Sequence, residues 1–153
     1  MDPPPRRLAR RDPLLARLPT WEALADGLVL LEPIPLARLR RTVDDLGAAW
    51  PRHVVEARSA FAARRSGVRS PEPLERLEAE HAWVRDSLAE LNGLLGLVTA
   101  NDHGGNRQAL GQYWRLLNEA LRRHIAEEEA LRGRTKGPGP PIPERRAGRP
   151  SPA

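Results

Sequence analysis

The chain contains no cysteine, and that absence removes disulfides, thiolate metal sites and thiol nucleophiles together. Aromatic residues make up only 4 % of the sequence, so any core must be built mainly from leucine, valine and alanine. No run of 18 or more apolar residues occurs, and no transmembrane helix is expected. The opening MDPPPRRLARRDP has none of the apolar centre of a signal peptide, which points to the cytoplasm. No alternating strand pattern, internal repeat, phosphate-binding loop or nucleophile–base pair is evident, so nothing here specifies an enzyme.

With 153 residues, 40 % of them hydrophobic, the chain suits one domain with a modest core. The net charge of +5 is unevenly spread: residues 1–18 carry +3, 19–131 carry −3 and 132–153 carry +5. The basic character therefore belongs to two Pro- and Arg-rich ends, 1–12 and 134–153, which are expected to be disordered. Such tails could touch nucleic acid or an acidic partner. Of the 25 basic residues 24 are arginine, as a GC-rich, bacterial-type genome would produce.

Between the tails, residues 13–133 read as four helices. The first lies within Pro13–Leu31, with Thr20 as N-cap of its better half and Trp21, Leu24, Leu28 and Leu31 as its stripe. Glu32-Pro33-Ile34-Pro35 breaks it. The second runs from Leu36 to about Arg65 along Leu36, Leu39, Val43, Leu46, Trp50, His53, Ala57 and Phe61, kinked at Pro51 and closed by Ser66-Gly67. Ser70-Pro71 opens the third, whose seam is Leu74, Leu77, His81, Val84, Leu88, Leu91, Leu95 and Val98. After the turn NDHGGN, which holds His103, the fourth spans Arg107–Leu131. Four helices with short connections predict an all-α, up-down-up-down four-helix bundle.

The fourth helix shows an oddity. Its apolar positions step through Leu110, Trp114, Leu117 and Leu121, and the same rhythm then lands on His124 and Glu128. Counting from the turns gives these two residues companions. Ala57 and His81 each lie 12 residues from Arg69, and His81 and His124 lie 22 and 21 residues from His103. Equal counts at equal rise put His53/Ala57, His81 and His124/Glu128 in one layer of the core. Burying such groups unpaired costs roughly 1–3 kcal/mol each, so they need a common reason. A bound transition metal supplies one, since imidazole and carboxylate are its usual ligands. A closed hydrogen-bond network around Glu128 supplies the other.

These residues resemble the hemerythrin-like (HHE cation-binding) domain, a four-helix bundle that holds a non-haem di-iron centre. The resemblance covers roughly Leu14–Leu131 and rests on Glu80-His81, on His124, Glu128, Glu129 and Leu131, and on His53, Glu56 and Phe61. The chain departs from the pattern at Ala57, where the family has a bridging glutamate, and at Arg132, where it has an aromatic. No histidine precedes His53. The resemblance thus implies a degenerate member with half a site. One metal ion, iron or alternatively zinc, would be held by His53, His81, His124 and Glu128, mononuclear rather than di-iron. Its role would be metal binding or iron and oxygen sensing, with dioxygen or another small ligand as partner. The alternative is a metal-free structural or interaction module of the same fold.

Overall fold

The computed structural model describes residues 12–62, 72–102 and 104–134. Four helices account for nearly all of them: α1 (Pro13–Val29), α2 (Leu36–Ala62), α3 (Glu72–Leu97) and α4 (Gly105–Arg134). No strand occurs among the described residues. Neighbours in the bundle are α1 and α2, α2 and α3, α3 and α4, and α4 and α1. The expected all-α four-helix architecture is therefore what forms. Both tails apart from Asp12 and Arg134, the Ser66-Gly67 stop, the Ser70-Pro71 cap and His103 lie outside the described residues. No helix is long and apolar enough to cross a membrane among the described residues.

Helix directions follow from the contacts at one end. Arg107 at the start of α4 donates to the Ile34 carbonyl just before α2, and Gln108 donates to Val29 at the end of α1. Asn106 donates to Leu97 at the end of α3. The start of α2 and α4 thus meets the end of α1 and α3, so α2 and α4 run parallel across the bundle's diagonal. At the opposite end lie the start of α1, the start of α3 and the later turns of α2 and α4.

α1 differs from the sequence reading in two ways. Thr20 is not a cap: the helix begins eight residues earlier, where Asp12 Oδ1 accepts from Leu14 N at 2.9 Å and Pro13 takes the first helical position. Pro19 sits inside the helix without ending it. The packing explains this. Leu14, Leu18, Trp21, Leu24 and Leu28 are all buried on one face while Pro19 faces out. The burial of Leu14 and Leu18 alone, about 1.5–3 kcal/mol each, offsets the roughly 3 kcal/mol that an interior proline costs.

Leu31 is the second difference. It is 44 % exposed and lies beyond the helix, with φ 57°. Glu32 N reaches Gly27 O at 2.8 Å and Leu31 N reaches Leu28 O at 3.1 Å, the paired bonds of a Schellman cap. A leucine fills the left-handed position where glycine is usual. The stripe therefore ends at Leu28, and Ile34 covers that end of the core instead.

Helices α1 and α4 approach closely at Gly111. A Cβ on Gly111 would stand 2.8 Å from Leu28 Cβ and 2.9 Å from both Ala25 O and Val29 N. Two of these neighbours are backbone, so nothing yields without moving a helix. Gly111→Ala is therefore expected to destabilise the protein by about 1–3 kcal/mol in urea unfolding, despite alanine's better helix propensity. A neutral or stabilising result would show that α1 stands further from α4.

Candidate metal centre

The far end of the bundle holds the unusual part of the core. There His53 of α2, His81 of α3, and His124 and Glu128 of α4 are all buried, none more than 5 % exposed. Each occupies a stripe position that its helix turns inward, as the three- and four-residue spacing requires. Their donor atoms converge. Glu128 Oε1 lies 2.9 Å from His124 Nε2 and 3.2 Å from both His53 Nε2 and His81 Nε2. His53 Nε2 and His124 Nε2 are 3.4 Å apart, and one donor atom from each of the four residues falls within 4.8 Å of the others.

These separations can be compared with what an ion requires. Donors about 2.0–2.1 Å from a central zinc-sized ion, at tetrahedral angles, stand roughly 3.3–3.4 Å from one another. Four of the six edges, at 2.9–3.4 Å, are close to that, and all six lie within 4.8 Å, so an ion would draw His81 inward while the shortest edge opens by a few tenths of an ångström. Three imidazole nitrogens and one carboxylate oxygen are suitable ligands for zinc or iron.

The outer nitrogens are organised as well. His53 Nδ1 donates to Asp12 Oδ2 at 2.8 Å, and His124 Nδ1 donates to Glu80 Oε2 at 2.7 Å. A carboxylate on Nδ1 fixes the ring and the tautomer, leaving the Nε2 lone pair to point inward. His81 is different. Its Nδ1 has no hydrogen-bond partner among the described residues, and the nearby Glu78 carboxylate, 3.9 Å away, is gripped by Arg58 at 2.8–3.2 Å.

The electrostatics reflect this packing of acids against imidazoles. Burial works against charge on His53, but the hydrogen bonds to Asp12 and Glu128 outweigh it and raise the imidazole to about 9. Burial also opposes the charge on His124, and Glu128 and Glu80 more than reverse it, so this group too is raised. Burial would raise the Glu128 carboxyl, yet its bonds from His124, His53 and His81 hold it far below the ordinary range. Asp12 is likewise lowered, with burial overcome by His53 and the Leu14 amide. Without an ion, the carboxylates of Asp12, Glu80 and Glu128 thus favour a proton on each of His53 and His124. A divalent ion exchanging for those two protons leaves the net charge unchanged.

All four residues singled out from the sequence are brought together, and the counting of turns set their level correctly. Ala57 is buried beside them, and Glu56 faces solvent, as its position 100° around the helix implies. Glu129 is exposed, whereas Glu127 is half-buried with Arg76 at 3.8 Å. Two members of the cluster were missed. Asp12, counted with the N-terminal tail, caps α1 and supports His53; the Asp-Pro pair at a helix start was its available signal. Glu80 was read only as the neighbour of His81 and serves His124 on the next helix.

Access to the cluster comes from this end of the bundle. A cavity of about 430 Å³ between α2 and α3 is lined by Arg58, Phe61, Leu74, Leu77, Glu78 and His81. A smaller one of about 190 Å³ reaches His53 beside Asp12, Arg52 and Glu56.

Fold and site together define a helical bundle with a buried cluster of three imidazoles and one carboxylate, competent in geometry to hold a metal ion. Compared with models of protein families, with curated proteins and with solved structures, the chain matches none.

Proposed function

We propose that this protein binds one transition-metal ion in its core through His53, His81, His124 and Glu128, and that it serves in metal binding or in iron and oxygen sensing in the cytoplasm. One observation carries the reading: three Nε2 atoms face a single carboxylate oxygen at 2.9–3.2 Å, while two of the outer Nδ1 atoms are held by their own carboxylates. A hydrogen-bond network alone would not need every imidazole to direct the same nitrogen to one point. In the same reading the chain is a reduced hemerythrin-like domain. Helices α3 and α4 keep their ligands, α2 keeps His53, and α1 turns only apolar side chains, Leu14 and Leu18 among them, into the core, with Asp12 behind His53. That set supports one ion, with iron or zinc suited to its donors.

The test is the metal-to-protein ratio of the full chain purified after expression with added iron or zinc. One ion per chain is expected, falling to background in His81→Ala and in His124→Ala. A metal-free wild type overturns the reading, and two ions per chain overturn the single site.

A further inference from the structure

The imidazole triangle has two faces, and they are covered by very different groups. Glu128 follows His124 by one turn on α4, toward the end of the bundle. Trp50 precedes His53 by one turn on α2, toward its middle. Because α2 and α4 run parallel, the carboxylate and the indole approach the three imidazoles from opposite sides.

The indole touches all three rings. It stacks on His53 with centroids 5.0 Å apart and planes 26° from parallel. It meets His81 and His124 edge-on at 5.7 and 5.5 Å. The imidazoles themselves are 4.8–5.9 Å apart, so the four rings form one close-packed group with Trp50 as its lid. Trp50 is 2 % exposed, and the next layer inward is the apolar core of Leu46, Val84, Leu88, Leu117 and Leu121. Neither cavity that reaches the histidines is lined by Trp50. Its buried Nε1 has no hydrogen-bond partner among the described residues, a cost that leucine or phenylalanine there would avoid. What tryptophan adds over those residues is ring area.

We propose that Trp50 determines the specificity of this centre. The indole seals the face opposite Glu128, restricts an ion to the four protein donors, and keeps water and small anions from a fifth position. The site thereby favours ions content with four ligands, Zn(II) and Co(II), over ions that seek five or six. This rests on the metal-binding reading above and takes its zinc-binding arm rather than iron and oxygen sensing. Trp50 would act through the imidazoles it packs against, as a positioning residue.

Cobalt(II) reports the outcome directly, because four-coordinate Co(II) absorbs visible light several-fold more strongly than five- or six-coordinate Co(II). The full-length wild type loaded with one equivalent of Co(II) is expected to show the intense four-coordinate bands, unchanged by added thiocyanate. Trp50→Ala should bind Co(II) with weaker bands that shift with thiocyanate, and Trp50→Phe, with its smaller ring, should respond to thiocyanate less than Trp50→Ala but more than wild type. If Trp50→Ala does not fold, Trp50→Leu and the wild-type thiocyanate titration still decide. A weak wild-type spectrum, a wild-type response to thiocyanate, or a Trp50→Ala spectrum identical to wild type overturns the seal while leaving metal binding intact. A wild type that takes up neither Co(II) nor Zn(II) overturns the metal-binding reading instead.

Discussion

Glu128→Gln is expected to be among the most damaging single substitutions in the core, with or without metal. The carboxylate oxygen Oε1 is shared by three imidazoles at 2.9–3.2 Å, and the residue is 1 % exposed. An amide keeps the shape but removes the charge. In the ion-free protein it strands protonated His53 and His124 without their common anion, which at neutral pH should cost about 3–5 kcal/mol in urea unfolding. His53 retains Asp12 and His124 retains Glu80, which places the expected loss toward the lower end of that range. With metal, the same change removes the sole anionic ligand and should weaken binding at least about 100-fold in competition with a chelator. An ion-free loss below about 1 kcal/mol would mean that the imidazoles are neutral in the native cluster.

The second large effect is a reversal of pH dependence on adding metal. His53 titrates at about 9 in the folded protein against 6.5 unfolded. Its contribution is fully present below pH 6.5 and disappears as pH rises to about 9, an effect on the order of 3 kcal/mol. Glu128 and Asp12 are shifted the other way, so their contributions hold above about pH 4.5 and fade only in acid. The ion-free protein should therefore lose stability between pH 6.5 and 9. Metal reverses the trend, because binding expels protons from His53 and His124. Affinity should rise over the same range by up to about tenfold per pH unit for each proton released. Urea midpoints at pH 6.5 and pH 9, with and without one equivalent of Zn(II), measure both slopes. An ion-dependent increment that does not change with pH would refute proton exchange at these imidazoles.

Both effects depend on residues of two kinds of legibility. His124 and Glu128 were visible as polar intruders in a leucine stripe, because a helix repeats its inward face every three or four residues whatever it packs against. His53 and His81 joined them by counting, because antiparallel helices of equal rise place equal distances from a turn at equal heights. Asp12, Glu80 and Trp50 could not be seen this way. Asp12 stands before α1, Glu80 is off the seam of α3, and Trp50 looked like any apolar stripe residue. Their roles come from which neighbour each meets across helices, which depends on rotation and tilt that no single-helix period encodes.

The same division runs through the fold. Periodicity and proline-bearing breaks were sufficient for four helices, their order and most of the buried residues. They bounded α1 at Pro13 but placed a cap inside it and carried its stripe too far, since local propensity put a cap at Thr20 and a core residue at Leu31. Tertiary burial of Leu14 and Leu18 carried the helix through Pro19, and the left-handed cap at Leu31 turned that side chain out. What the sequence by itself determined was the inventory of the site: which side chains face inward, and at what depth. What only the tertiary structure decided was how they meet. Packing chose the nitrogen each imidazole offers, the carboxylates behind two of them, and the indole that closes one face, because such contacts form only when separate helices are brought to within a side chain's length.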